Sequence, residues 1–303
     1  MVSLTSFWLL QLNLLTFTGM KHLFITTLAI IIYTVCFSQA TGDTIVLRDI
    51  ELDKTSPAKQ IELTIPSEKS NLQGFIYKAN GTHKHPVLIL LHGYPGNERN
   101  LDLAQVARAR GWNVIYFNYR GAWGSQGHFS FENCVQDVVN VVAFCKKYQD
   151  SLQVDTSNIV LFGHSMGGWV CLKALQQIPS VRKGFALSTW DIHASFSNVK
   201  TEAELTATIK NAGVTYFVLN TPVEQIFKPV LQKRGYFNLV NDAAALADKQ
   251  IIMLDEHTGN KTIADAIKAK NKNYFDYQVW QTDHPFTNKR VALIKMVLAF
   301  LER

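Results

Sequence analysis

The chain has 303 residues, 47% of them hydrophobic and 18% charged, with a formal net charge of +6 at pH 7. That length suits one sizeable α/β domain with a small insertion and argues against two full domains. The basic side chains are scattered without a long run, so the charge excess speaks for solubility and against nucleic acid as a partner.

The N-terminus is unusually apolar: between Met1 and Ala40 the only fully charged side chain is Lys21. Read from Met20, a short basic start leads into LFITTLAIIIYTVCF and closes on Ser38-Gln39-Ala40, the pattern of a secretory signal peptide cleaved after Ala40. Residues 1–19 are then an upstream extension. Residues 23–38 approach spanning length, so an uncleaved membrane anchor is the alternative, and the only route to a membrane. Export to a periplasmic or extracellular space is the expectation. Cleavage removes one lysine and no acid, taking the net charge from +6 to +5. The bulky Val35 before Cys36 argues against a lipoprotein site. Cys134, Cys145 and Cys171 fall on apolar helical faces without metal-type or C-x-x-C spacing, and are expected as buried free thiols.

From about residue 44 to 80 the alternation in IVLRDIEL, KQIELTIP and LQGFIYKA predicts antiparallel strands. Val87–Leu91 (VLILL) is a continuous apolar run, as in a strand covered on both faces of a parallel sheet. A helix with Leu101, Leu103, Val106 and Ala107 inward follows and stops at Gly111. Next come strand Val114–Phe117, a helix over Phe131–Tyr148, strand Ile159–Phe162, a helix from Met166 to Gln177 and strand Gly184–Ser188. Residues 194–248 break this rhythm and read as a cap-like helical insertion. Strand Ile251–Leu254, a helix around Thr262–Ala269, strand Tyr277–Trp280 and an amphipathic helix over Arg290–Leu301 close the chain. The repeated β-α-β order predicts an α/β domain over residues 41–303, with a mostly parallel sheet and helices on both faces.

The strongest chemical signal is Gly163-His164-Ser165-Met166-Gly167, placed between a strand and a helix. This is the context a nucleophile elbow requires: the serine sits on a sharp, strained turn, and the flanking glycines let strand and helix approach. The helix N-terminus beneath it favours negative charge developing on a substrate oxygen. A serine hydroxyl needs a base. His284, in Asp283-His284-Pro285-Phe286 after the final strand, is that base by position and chain order. The N–H groups of Met166 and Tyr94, the latter in Leu91-His92-Gly93-Tyr94-Pro95-Gly96-Asn97, are the expected oxyanion donors, since Pro95 has no N–H. His92 reads as a structural residue of that loop, and His83 and His85 as solvated residues of a polar turn. No metal-ligand spacing and no G-x-G-x-x-G after a strand occur, so no cofactor is expected.

LLHGYPGN, NYRGAWGSQG, GHSMGG and TDHPF together resemble the α/β-hydrolase superfamily over residues 58–303, in the branch shared by secreted esterases and prolyl-oligopeptidase-like peptidases. The resemblance implies a serine hydrolase acting on a small ester or a peptide through an acyl-enzyme. It also implies that Tyr119-Arg120-Gly121 supports the loops near the site, with contact between Arg120 and substrate as the alternative. The family's acid, usually in a G-x-x-D segment after the strand read here as Ile251–Leu254, has no matching spacing in Leu254-Asp255-Glu256-His257. Asp255 is the first candidate, with Glu256 and Asp191 as alternatives. The insertion is short for a peptidase filter and lacks an acidic pair for a substrate amine, which favours esters. The missing acid motif also leaves open an inactive hydrolase fold used for binding. Phe196, Phe217, Phe227 and Tyr236 of the insertion are expected as its own small core or as the lining of an acyl pocket.

Overall fold

A computed structural model describes residues 49–213 and 216–303. The signal segment expected over residues 1–40 lies outside the described residues. Among those described, no helix is long and apolar enough to cross a membrane.

Glu51–Arg303 packs as one unit around an eight-stranded sheet. The strands are β1 Lys59–Ser67, β2 Ser70–Lys78, β3 His85–Leu91, β4 Asn113–Phe117, β5 Val154–His164, β6 Lys183–Leu187, β7 Gln250–Asp255 and β8 Tyr274–Val279. Their order is β1-β2-β4-β3-β5-β6-β7-β8; β2 runs antiparallel to both its neighbours, β1 and β4, and every other pairing is parallel. Val87–Leu91 is buried throughout, as a strand with helices over both faces must be.

The helices are α1 Leu101–Ala109, α2 Phe131–Lys147, α3 Met166–Gln177, α4 Ile192–Ser195, α5 Glu202–Ala212, α6 Val223–Gln232, α7 Arg234–Phe237, α8 Lys261–Lys270 and α9 Arg290–Leu301. Helix α2 starts where Ser130 Oγ accepts from the N–H of Asn133 at 3.0 Å, and it carries Glu132 in its first turn and Lys146 and Lys147 in its last. Its apolar stripe buries Cys134, Val135, Val138, Val142 and Cys145. Helix α3 is buried on every side from Met166 to Leu175, because sheet, α2 and the insertion all cover it.

Helices α4 to α7 occupy the connection between β6 and β7 and are tied down at defined points. Trp169 stacks on Phe237 with ring centroids 5.4 Å apart, and Lys173 Nζ donates to Tyr236 O and Asp242, both at 2.9 Å. Phe196 and Phe227 are buried, whereas Phe217 is fully exposed. The N–H of Asn220 donates to Gly121 O at 2.6 Å, joining the insertion to the loop after β4. That loop rests on Arg120, whose Nε donates to buried Asp137 at 2.6 Å and whose guanidinium also meets Glu68. Arg120 is 4% exposed and supports the loops from beneath.

Three local expectations change. Residues 49–52 of the IVLRDIEL segment form no strand, and the remainder lies outside the described residues. Strand β8 begins at Tyr274, ahead of the expected start, because as an edge strand it is only half-buried and has no continuous apolar run. His85 is buried, with Nδ1 donating to Gly111 O at 2.9 Å, whereas His83 is exposed. Cys134, Cys145 and Cys171 are free and buried.

Candidate active site

Strand β5 delivers its last residue, His164, directly into the turn that starts α3, and Ser165 stands on that turn at φ 61°, ψ −120°. Two glycines make the turn possible. A Cβ on Gly163 would lie 1.9 Å from Gly167 O, and one on Gly167 would lie 2.0 Å from Leu91 O. No larger residue fits either position without moving backbone. The Ser165 carbonyl accepts from the N–H of Gly168 at 2.9 Å and of Trp190 at 3.0 Å, which fixes the peptide plane behind the side chain. Met166 opens α3, and the first N–H groups of a helix have no partner within it.

The loop after β3 passes close over the turn: a Cβ on Gly93 would lie 3.1 Å from Ser165 Cβ. Tyr94 follows and lines the same cleft as Ser165. His92 is fully buried beneath; its Nδ1 donates to Gly93 O at 2.8 Å, and its ring packs on Tyr119 at 4.4 Å. Burial holds it neutral, at about 4. It braces the loop and has no route to substrate.

His284 lies in the loop after β8 and lines the cleft, with its side chain about half-exposed. Its Nδ1 donates to Glu256 Oε1 at 2.7 Å, and Ser188 Oγ donates to Glu256 Oε2 at 2.5 Å. Burial alone would raise the Glu256 carboxyl, but the hydrogen bonds from His284 and Ser188 outweigh it and bring the group down to about 2. His164 contributes a further support: its Nε2 donates to His284 O at 3.0 Å, and the rings stack at 4.8 Å. Burial, and then the neighbouring His284, lower His164 to about 4.

Asp255, expected first as the acid, is not brought to His284. It is the last residue of β7, fully buried, and its Oδ1 accepts from the N–H of Thr189 at 3.2 Å and from Asn260 Nδ2 at 3.1 Å. Burial raises its carboxyl to about 6. Side chains alternate along a strand, so Asp255 turns inward and its neighbour Glu256, already in the loop, turns to His284 and Ser188. Asp191, the other alternative, is the N-cap of α4 and accepts from the N–H of Ala194 at 2.9 Å; it lies on the cleft rim. Ser188 and His164 went unseen in the sequence, one inside an apolar strand and one as the variable position of the elbow. No local pattern marks either as a support for the histidine loop.

The cleft has a volume of about 470 Å³ and brings Ser165, His284, Tyr94, Ser188, Thr189 and Asn260 onto one surface. Among the described residues no group of three or more His, Cys, Asp or Glu side chains is placed to hold a metal ion. The arrangement is a strained serine at a helix N-terminus and, lining the same cleft, an imidazole whose Nδ1 is held by a carboxylate.

A sequence profile described as the alpha/beta hydrolase family matches residues 88–282. The chain belongs to the alpha/beta hydrolase family. An uncharacterized protein of Rickettsia prowazekii is 29% identical over 126 residues, covering 40% of this chain and 51% of the relative. Lysophosphatidylserine lipase ABHD12 of Danio rerio is 24% identical over 131 residues, covering 42% of this chain and 32% of the lipase. The matches therefore span about half or less of these curated relatives. The fold is also that of an esterase from Pyrococcus furiosus, with a TM-score of 0.59 at 17% identity, covering 84% of this chain and 96% of the esterase.

Proposed function

We propose that this hydrolase is a serine esterase working through an acyl-enzyme. The observation that carries the reading is His284, held at Nδ1 by Glu256, on the same cleft as Ser165 on its strained turn. With Nδ1–H engaged by Glu256, His284 presents Nε2 as the base. Ser165 Oγ attacks the ester carbonyl carbon and its proton passes to His284 Nε2. The carbonyl oxygen, now an oxyanion, is held by the N–H groups of Met166 and Tyr94. Collapse breaks the acyl–oxygen bond while His284 returns the proton to the leaving alkoxide. A water then attacks the acyl-enzyme, His284 takes its proton, and the second collapse frees the acid and Ser165.

The likeness in sequence to a lipase fits an ester substrate, and the short insertion, without an acidic pair to take a substrate amine, is what favours esters over peptides. Export by way of residues 20–40 belongs to the same reading, with cleavage after Ala40. A panel of p-nitrophenyl esters set against aminoacyl p-nitroanilides tests the reading. Ester turnover that disappears in Ser165→Ala is expected. Faster amide turnover would replace the esterase with a peptidase, and a folded chain inert to both would leave a binding protein.

A further inference from the structure

Two tyrosines stand between the Ser165 cleft and a neighbouring space. Tyr94 and Tyr216, with ring centroids 5.4 Å apart and planes at 74°, line the cleft and also line a second cavity of about 320 Å³. The pair is the partition between the two.

Its two halves differ in how they are backed. The ring of Tyr94 packs on Phe129 and Phe227, at 5.9 and 5.6 Å, and both of these are buried. Tyr216 is only partly buried, and among the described residues its one aromatic neighbour is Tyr94. The chain after it is nevertheless held. The N–H of Leu219 donates to Tyr216 O at 3.2 Å, Leu219 pairs with Ala122, and Val218 O accepts from the N–H of Trp123 at 2.8 Å. The loop after β4 therefore fixes where the Tyr216 side chain starts.

Beyond the partition the cavity is bounded by Leu219, Pro222, Val223 and Ile226, together with Asn220 and Thr221. The last two are engaged with neighbouring chain. Asn220 Nδ2 donates to Gly127 O at 3.2 Å; Thr221 Oγ1 accepts from the N–H of Phe129 at 2.7 Å and donates to Asn220 O at 2.6 Å. What the cavity offers a visiting group is room and contact with four apolar side chains.

The loop that carries Tyr94 follows β3, on one side of β5, whereas His284 follows β8, on the other. A group that returns its proton to the leaving alkoxide has the alcohol half of the ester beside it, so the acyl half points to the tyrosines. We propose that Tyr216 sets the size of the acyl group, an inference that rests on the esterase reading. With its ring in place the cleft takes a short acyl chain; without it the chain extends into the second cavity.

The test measures kcat/KM on p-nitrophenyl butyrate and octanoate for wild type, Tyr216→Ala, Tyr216→Phe and the double variant Tyr216→Ala with Val223→Trp. Wild type should prefer butyrate by at least about tenfold, because further methylenes press on a packed wall. Tyr216→Ala should raise the octanoate-to-butyrate ratio at least about tenfold, since each methylene newly buried is worth up to about fourfold. Tyr216→Phe keeps the ring and should leave the ratio within about threefold of wild type. Val223→Trp fills the second cavity and should remove the gain. Equal wild-type rates on the two esters, an unchanged ratio in Tyr216→Ala, or a gain that survives Val223→Trp would each overturn the proposal. So would a Tyr216→Ala variant that gains on hexyl over ethyl acetate instead, which would put the wall on the alcohol side. If Tyr216→Ala does not fold, Tyr216→Leu takes its place, with a rise of at least about threefold expected and no rise refuting the proposal. A fluorophosphonate separates the two failures. Ser165 labelled but the acyl profile unmoved ends this inference alone, whereas no labelling and no cleavage of any ester ends the esterase reading with it.

Discussion

Glu256 Oε1 lies 2.7 Å from His284 Nδ1, and the other oxygen of the same carboxylate takes the hydroxyl of Ser188. One side chain thus ties the end of β6 to the loop after β8. Ser188 holds a positive φ of 45°, a conformation that a non-glycine residue adopts only when its surroundings impose it. Its hydroxyl occupies one oxygen of Glu256, leaving the other to the imidazole.

If Glu256 orients the imidazole, Glu256→Gln should lower kcat/KM on an ester by about 10²–10⁴-fold, because Nδ1 loses its charged acceptor and the wrong tautomer becomes available. Asp255→Asn should stay within about threefold of wild type. Steady-state kinetics on the two purified variants decide between them, and the opposite ranking would return Asp255 to the catalytic role.

The burial of Asp255 also leaves a mark on stability against pH. Folded Asp255, raised to about 6, keeps its proton where the unfolded chain has released it, so its contribution falls as pH climbs from about 4 to 6. His92 and His164, both lowered to about 4, act in the opposite sense: between about pH 6.5 and 4 the unfolded chain binds protons that the folded one refuses, and stability drops on acidification. Removing the first effect with Asp255→Asn should steepen the rise of unfolding free energy over pH 4–6 by up to about 1.4 kcal/mol per pH unit. Urea titrations at several pH values measure this, and parallel curves for variant and wild type would contradict it.

The turn at Ser165 stores strain that glycine would release. Ser165→Gly should be more stable than Ser165→Ala by about 1–2 kcal/mol, since only glycine takes φ 61°, ψ −120° freely. Both should be inactive. Equal thermal midpoints for the pair would mean that the elbow is relaxed.

Much of this architecture is legible in the chain, and the exceptions share a cause. Val87–Leu91 and the elbow between β5 and α3 announce themselves because a doubly covered strand has to be apolar throughout and a strained serine turn has to be flanked by glycines. The carboxylate that meets His284 is Glu256 and not its neighbour because β7 continues through Asp255, which pairs with Val279, and a single residue of strand reverses which neighbour faces the core. His85 is hidden for a similar reason: it pairs with Val154 at an irregular point of the β3–β5 ladder, and its environment comes from Gly111, distant in sequence. Ser188 owes its role to tertiary contact alone.

Arg120 supports the loops of the site without touching the cleft. Arg120→Ala leaves Asp137 fully buried without its cationic partner, and should destabilise the fold by about 3–5 kcal/mol. The fraction that remains folded should keep its turnover per active serine, read by titrating active sites before the rate is measured. A variant of normal stability with lost turnover would place Arg120 on the substrate instead.

The central claim, that Ser165 is a nucleophile activated by His284, is tested most directly by fluorophosphonate labelling of purified residues 41–303 beside Ser165→Ala and His284→Ala. Wild type should label on Ser165, Ser165→Ala not at all, and His284→Ala far more slowly. A folded wild type that does not label, or one that labels equally in both variants, would contradict it.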